Sequence, residues 1–336
     1  MLVFAAETSC DETSICLMEN SSIVEHITFS QEIHKIHGGV VPELASRSHL
    51  EKIQIMTNEL FSRKNIDPNE INVFSATCGP GLIGSLLVGS TFTKSLAISF
   101  QKPFIPINHL EGHILSTSFN NDIKFPSVVL LLTGGHTQVY LMKDERNIEL
   151  LGQSIDDAIG EAFDKTAKLI GLSYPGGAEI EREAARGDEN KFILPKPLAK
   201  EKNFNFSFSG IKTHINILTK KNKIDKKFIQ DLSASFQKNI SDLLIEKLER
   251  GLERLKLHKV NVKSLSVVGG VSNNKYIKKK LENFFIKKNI EIYYPVKEMM
   301  IDNAAMIAWA CMKFYKKDRN DLFFKPMPRL GVRSVL

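Results

Sequence analysis

The chain has little of what staples or anchors a protein. Four cysteines stand in 336 residues, at Cys10, Cys16, Cys78 and Cys311, and no two form a Cys-x-x-Cys pair. That argues against a disulfide framework or a cysteine zinc site and fits a reducing compartment. No apolar run approaches the roughly 20 residues that span a bilayer. The longest purely aliphatic stretch, Val128 to Leu132, has the length of a strand. The start, Met-Leu-Val-Phe-Ala-Ala-Glu, has no basic leader and meets acid at Glu7, so it reads as a first strand and not as a signal or transit peptide. A cytoplasmic protein without a membrane partner is the expectation.

The apolar fraction of 43% and charged fraction of 25% are those of a soluble globular protein, and the length suits two cores better than one. The net charge is +7. Such a surface favours phosphate-rich partners such as RNA. Lys outnumbers Arg 35 to 10, which also matches the codon bias of an AT-rich genome. The local excess over residues 191–230, ten Lys against two acids, points more firmly to a nucleic-acid or partner face.

Strands are expected at 2–7, 14–18, 23–29, 73–77 and 104–107, with helices from about Glu43, from Gly84 to Ala97 and over 109–116. A second strand-turn-strand follows, 128–132 and 138–142 around Thr133-Gly134-Gly135-His136-Thr137. Helices are expected at 158–170, 179–185 and 226–257, a strand at 264–268, and helices from about Asn274 and from Asn303 to about Tyr315. A β-hairpin followed by helices thus occurs twice, the pattern of a duplicated α/β fold with two lobes and a cleft. Phe204, Phe206 and Phe208 alternate as on a strand with one buried face; stacking on RNA bases is the alternative to core packing.

His109-Leu110-Glu111-Gly112-His113 places two imidazoles four residues apart, about 40° apart on one helical face. Both reach a single ion from there. In His-Glu-x-x-His peptidases the general base follows the first His directly, but Leu110 holds that position here, and Glu111 lies about 200° round the helix. Asp302 either caps the helix that follows it or completes a two-His, one-carboxylate site with open positions, suited to Fe(2+) or Zn(2+). The turns Thr133–Thr137 and Gly269-Gly270-Val271-Ser272-Asn273-Asn274 each follow an apolar strand and offer backbone N–H groups to an anion. Asp157, Glu161 and Asp164 form either a solvated acidic helix face or a set that includes a carboxylate for ribose hydroxyls or a substrate amine, with Pro175-Gly176-Gly177 beside it.

These strings together resemble the TsaD/YgjD family of tRNA threonylcarbamoyladenosine synthesis, formerly called O-sialoglycoprotein endopeptidases. The matching stretches are ETSCDET (7–13), HGGVVPELASRSH (37–49), GPGLIGSLLVG (79–89), HLEGH (109–113), TGGHTQ (133–138), 156–177, FSFSGIKT (206–213), GGVSNN (269–274) and DNAAMIA (302–308). The resemblance implies an actin-like ATPase fold of the acetate kinase, sugar kinase, heat-shock ATPase and actin superfamily. It implies a first lobe over 1–127, a second over 128–310, and a helix end with a basic tail over 311–336. It implies a metal, usually iron, on His109, His113 and Asp302. It implies substrate contacts from Leu131, Leu132, Thr133, Gly134, Gly135, Asp164, Gly177, Glu181 and Asn274. Archaeal and eukaryotic relatives have a metal-binding Tyr at the position of Leu131, which leaves three protein ligands here.

The reaction implied is transfer of threonylcarbamoyl from threonylcarbamoyl-AMP, with ATP as the other nucleotide ligand considered, to the exocyclic amine of the adenosine 3′ of the anticodon in tRNAs reading codons that begin with A. The implied partners are the tRNA anticodon stem-loop, a TsaB-like paralogue, a TsaE-like ATPase and an upstream synthase that supplies the donor. Asp11 or Glu12 is the candidate general base. The small-residue helix 84–97 is a candidate partner face, its alternative being close packing inside the first lobe. An actin-superfamily small-molecule kinase or a nucleotide-binding scaffold is the alternative function.

Overall fold

The computed structural model describes residues 1–332, so the end of the basic tail, 333–336, lies outside the described residues. The chain divides into two compact units: Met1–Asn120 together with the chain from Pro295 onward, and Asn121–Tyr294. In the first, β1 (Leu2–Glu7), β2 (Glu12–Glu19) and β3 (Ser22–Ser30) form an antiparallel meander, and β4 (Val73–Gly79) and β5 (Phe104–Asn108) extend it in parallel from β1. The order is β3-β2-β1-β4-β5. The second unit repeats this with β6 (Ser127–Leu132), β7 (Thr137–Asp144), β8 (Asn147–Gln153), β9 (Ser264–Val268) and β10 (Glu291–Tyr293), ordered β8-β7-β6-β9-β10. The duplication is therefore one of topology, strand for strand.

Helix α1 (His34–His37) is a single turn, and α2 (Pro42–Lys64) opens with Pro42 in its first turn, where no N–H is needed. Helix α3 (Ile83–Ser99) packs closely on β1 and α2 through its glycines. A Cβ on Gly89 would lie 2.2 Å from Thr8 Oγ1, and one on Gly84 would lie 2.4 Å from Ser46 Oγ. The small residues of this helix thus serve close packing inside the unit. Ile83 and Leu87 remain exposed on its other side.

Helix α4 (His109–Ser116) follows β5 directly. In the second unit α5 (Ile159–Leu169), α6 (Gly176–Ala184), α7 (Ser209–Lys221), α8 (Lys226–Leu257) and α9 (Lys275–Ile286) surround the sheet. Phe204, Phe206 and Phe208 are all buried in this unit's core, the last two stacked with centroids 6.0 Å apart, so none presents a ring to a base. Among the described residues, one isolated bridge, Ser154 to Phe206, gives this stretch strand character.

The last helix, α10 (Ala304–Phe314), packs on β1, β2, β4, β5 and α4. It is apolar almost all round, as a core helix must be. The second unit accordingly ends at Tyr294, where the sequence reading drew its boundary at 310, and the segment carrying Asp302 belongs with the first. Gly89→Ala is expected to destabilise the first unit by about 1–3 kcal/mol, because Thr8 has no room to yield. Thr8 Oγ1 already donates to Ser85 O at 2.8 Å. A urea-melt midpoint equal to wild type would contradict this packing.

Candidate metal centre and substrate loops

Three elements of the first unit bring His109, His113 and Asp302 together. Asn108 caps α4, accepting from Leu110 N at 2.8 Å, so the helix begins with His109 at its first position. The i, i+4 spacing then stacks the two rings 4.8 Å apart at 90°. A Cβ on Gly112 would lie 3.0 Å from Ile307, so glycine at this point of the motif lets α10 approach α4. At the start of α10, Asn303 is the cap: its side chain accepts from Met306 N at 2.8 Å. Asp302 is thereby released from the capping role and turns towards the imidazoles. Its Oδ1 lies 2.9 Å from His113 Nε2 and 3.6 Å from His109 Nε2. The three ligand atoms fall within 4.8 Å of one another.

A carboxylate that sequence reasoning did not assign holds the first imidazole. Glu7, at the buried end of β1, accepts from His109 Nδ1 at 3.1 Å and from Ser9 N at 2.6 Å, and also from Thr77 Oγ1. With Nδ1–H directed at Glu7, Nε2 of His109 faces Asp302 and is the nitrogen that an ion would take on losing its proton, the arrangement that orients a metal-binding histidine. The available signal was an acid ending an otherwise apolar strand, since a buried carboxylate needs partners. His113 has no such second support: its Nδ1 is buried without a hydrogen-bond partner.

The electrostatics fit a cation. Burial works against the charge on His109, but Asp302 and Glu7 outweigh it, and the imidazolium is pushed up to about 9. Burial likewise opposes ionisation of Glu7, yet His109 holds it below the usual carboxylate range. Glu12 is pushed up to about 9 by burial first, then by Asp302 and Asp11. Several carboxylates crowd two imidazoles, and Asp302 is half-buried, which leaves the cluster open on one side. Two nitrogens and a carboxylate suit a divalent transition ion with open positions.

The turn that carries Asp11 and Glu12 is also held by a residue whose role sequence reasoning missed. His49, buried on α2, donates from Nε2 to Cys10 O at 3.0 Å while its Nδ1 accepts from Thr13 Oγ1 at 2.8 Å. Burial keeps this imidazole below its ordinary pKa, hence neutral and in one tautomer. Burial, then Asp11, pushes the Cys10 thiol far up, so this cysteine is no nucleophile.

In the second unit, a chain of close approaches assembles the residues named from the resemblance. Leu131 and Leu132 have fully buried side chains, so only their backbone is available. Beyond them Thr133 closes the turn, its N–H donating to His136 O at 2.9 Å. Gly134 and Gly135 are exposed, and their N–H groups make no hydrogen bond among the described residues. A Cβ on Gly160 would lie 2.6 Å from Gly134 Cα, and one on Gly269 would lie 2.5 Å from Leu132 O. Gly269 has φ of 91°, a conformation open to glycine.

Asp164 on α5 accepts from Gly176 N at 2.7 Å, which fixes the start of α6 and Gly177 beside it. Glu181 accepts from Lys275 N at 2.8 Å at the start of α9. Asn274 caps α9, accepting from Ile277 N at 3.0 Å and donating to Gln237 at 2.8 Å. The ends of β6 and β9 and the N-termini of α5, α6 and α9 thus form one cluster. Its glycines and amides suit a phosphate. Glu181 and Asn274 use these side-chain atoms to hold α9.

The family described as TsaD, tRNA N6-adenosine threonylcarbamoyltransferase, matches residues 22–309. The chain is 42% identical over 335 residues to the tRNA N6-adenosine threonylcarbamoyltransferase of Thermosipho africanus, covering 99% of this chain and 100% of that protein. It is 38% identical over 334 residues to the one of Wolbachia pipientis wMel, covering 99% of each. Among solved structures it is similar to full-length HypF, with TM-score 0.61 and 15% identity over 93% of this chain and 46% of that one. It is also similar to component A of the Acidaminococcus fermentans (R)-2-hydroxyglutaryl-CoA dehydratase, with TM-score 0.52 and 14% identity over 92% and 96%. These two likenesses concern the fold, which is the duplicated actin-like one.

Since His109 keeps its proton up to about pH 9 in the metal-free protein, a divalent ion must displace that proton at neutral pH. Calorimetry in buffers of different ionisation heat is expected to record at least one proton released per ion bound near pH 7. Affinity is expected to fall roughly tenfold per pH unit below 9. Glu7→Gln is expected to weaken binding about 10–100-fold. Binding without proton release would contradict the assigned ligand.

Proposed function

Because the chain belongs to the TsaD family of tRNA N6-adenosine threonylcarbamoyltransferases, we propose that its two clusters divide that reaction between them, the His109–His113–Asp302 centre in the first unit and the glycine turns in the second. The protein is a transferase that modifies tRNA. The observation that carries the division is the convergence of two imidazole nitrogens on Asp302 Oδ1, with one ring fixed by Glu7. The names of the relatives do not favour a small-molecule kinase or a scaffold.

The donor we assign is threonylcarbamoyl-AMP. The N–H groups of Gly134 and Gly135, which make no hydrogen bond among the described residues, support binding of its phosphate. Asp164, Gly177, Glu181 and Asn274 line the same cluster and hold its shape. In the transfer, the exocyclic nitrogen of the adenosine attacks the carbamoyl carbon, the carbon–oxygen bond to phosphate breaks, and AMP leaves. The attacking amine gives up one proton. Asp11 or Glu12, adjacent in the first turn, is the acceptor we assign. His49 keeps Asp11 in place through Cys10.

A divalent ion, iron as the first choice and zinc as the second, would be held by His109, His113 and Asp302 and would supply Lewis-acid stabilisation of oxygen charge. No helix among the described residues is long and apolar enough to cross a membrane; the cytoplasm, where tRNA is, is the setting we assign from the family's tRNA-modifying activity. The exposed Ile83 and Leu87, one turn apart on α3, support docking of a TsaB-like paralogue there, with a TsaE-like ATPase and the donor synthase completing the system.

Asp302→Asn is expected to lower transfer by at least about a thousandfold while the melting temperature of the metal-free protein stays within a few degrees. Nucleoside mass spectrometry of unmodified tRNA incubated with the complete system measures this, and full activity in the metal-stripped variant would overturn the assignment. Leu87→Glu is expected to abolish co-elution with the paralogue and leave the isolated chain monodisperse.

A further inference from the structure

One segment matches the positive charge of the whole protein. Residues 191–230 hold ten Lys and two acids, a net of 10 − 2 = +8, against +7 for the whole chain. The other residues therefore carry 35 basic and 36 acidic side chains, a net of −1. A genome-wide preference for lysine would raise the charge everywhere; this chain concentrates it in the second unit.

The structure leaves half of that charge unpaired on one face, while Lys196 pairs with Glu246 and Lys227 with Asp231 at 2.8 Å. Lys212, Lys220, Lys221, Lys223 and Lys226 lie on α7 and the turn into α8, all exposed, and none makes an ion pair or cation–π contact among the described residues. The two acids of the segment are engaged locally: Asp225 caps α8, accepting from Phe228 N at 2.9 Å, and Glu201 accepts from Asn203 at 2.9 Å.

The other lysine-rich helix of this unit has part of its charge engaged, although Lys279 and Lys287 are exposed. On α9, Lys278 lies over Tyr294 at 4.2 Å and Lys280 over Tyr276 at 5.3 Å. Just after it, Lys288 pairs with Glu249 at 2.5 Å.

The charged face is also rigidly mounted. Asp156 accepts from Phe208 N at 2.8 Å and Ser209 Oγ at 2.7 Å, which pins the first turn of α7 beside the loop leading to α5. Buried Lys247 donates to Leu198 O at 3.1 Å, Glu201 O at 3.2 Å and Asn203 Oδ1 at 2.9 Å, which fixes the loop carrying Lys200 and Lys202. That loop adjoins α7, since a Cβ on Gly210 would lie 3.3 Å from Pro197.

Lys212 and Lys220 on α7 supply hydrogen-bond donors on an exposed surface, and the three phenylalanines leading into the helix face the core and present no ring there. Such a surface holds phosphates without reading or stacking bases.

We propose that α7 and the α7–α8 turn are a docking surface for the duplex backbone of the substrate tRNA, separate from the glycine-turn cluster. The proposal rests on the tRNA-modifying activity and adds where the RNA outside the target nucleotide is held. With 13 residues, α7 is about 20 Å long and begins next to the loop that leads to the substrate turns. A stem along it would keep its loop at that end.

The test compares the full-length protein with Lys220→Gln/Lys221→Gln/Lys223→Gln/Lys226→Gln and, as control, with Lys278→Gln/Lys279→Gln/Lys280→Gln/Lys287→Gln. Each removes four charges. Binding of unmodified tRNA transcript is titrated across salt, and transfer is assayed with the complete system. For the first variant, the slope of log affinity against log salt is expected to lose about 3, with at least about tenfold weaker tRNA binding near physiological salt. Its KM for tRNA should rise while kcat stays within about twofold.

The control should keep most of the wild-type slope. Equal slope losses in both variants would mean diffuse attraction and would overturn the proposal. So would unchanged tRNA binding by the first variant, whether or not it had lost an acidic protein partner instead. Wild-type protein that neither binds nor modifies tRNA would instead refute the functional reading, a result these variants do not mimic.

Discussion

Glu7 ends the first strand with its carboxylate inside the protein, and the hydrogen bonds it accepts set the geometry of the whole first-unit site. Ser9 N anchors the turn after β1, Thr77 ties that turn to the parallel strand β4, and His109 brings in the start of α4. An ionised carboxylate with three donors is far more secure than one without, and its charge fixes which nitrogen of His109 turns inward and which faces out. The outward-facing Nε2 then needs a partner, which α10 provides by delivering Asp302. An apolar helix returning late in the chain is thus coupled to the first strand through one imidazole.

The duplicated topology uses the same structural position for opposite chemistry. The turn between β1 and β2 holds Ser9, Cys10 and Asp11 and runs into Glu12 at the start of β2; its counterpart between β6 and β7 holds Thr133, Gly134, Gly135 and His136. In both cases the turn closes an antiparallel pair whose first strand also pairs in parallel with β4 or β9. The first turn concentrates carboxylates, so a cation is its natural partner. The second exposes N–H groups among helix starts, so an anion is. Gly160 and Gly269 have lost their side chains to backbone approach at the second turn, whereas the first is supported by His49 and Ser85.

Much of this was legible in the sequence where a local period or spacing carries the information. The strands at 2–7 and 128–132 and the helix at 109–116 follow from apolar patterning, and the His-x-x-x-His pair follows from helical geometry alone. What was not legible depends on tertiary partners. Strand β8, at a sheet edge, alternates weakly because Glu149 and Leu150 are both exposed. Helix α7 is rich in Ile and Thr, which lowers its intrinsic helix signal, and it holds by burying Ile211 and Ile215. The allegiance of α10 to the first unit is invisible in sequence order. So is the choice between Asp302 and Asn303 as cap, since both residue types favour that position. Only the hydrogen bond from Met306 N to Asn303 resolves it.

Net charge has the same ambiguity, and it resolves for the same reason. A value of +7 is equally compatible with a lysine-rich genome and with a nucleic-acid surface, because a sum carries no position. Position enters through the partners of each lysine. Lys247 is buried and committed to three oxygens, Lys288 pairs with a carboxylate, and Lys278 and Lys280 lie over rings. With such engaged lysines set aside, Lys212 and the Lys220–Lys226 group still face water on and just after α7, a denser set than the exposed Lys279 and Lys287 of the α9 region. Exposed like charges repel, and holding them together on a pinned helix gains nothing for the fold itself. A polyanion that releases its counterions on contact supplies the compensating free energy. The acidic first-unit cluster and the basic second-unit face therefore both carry charge that the folded chain leaves uncompensated, the one suited to a cation and the other to phosphate.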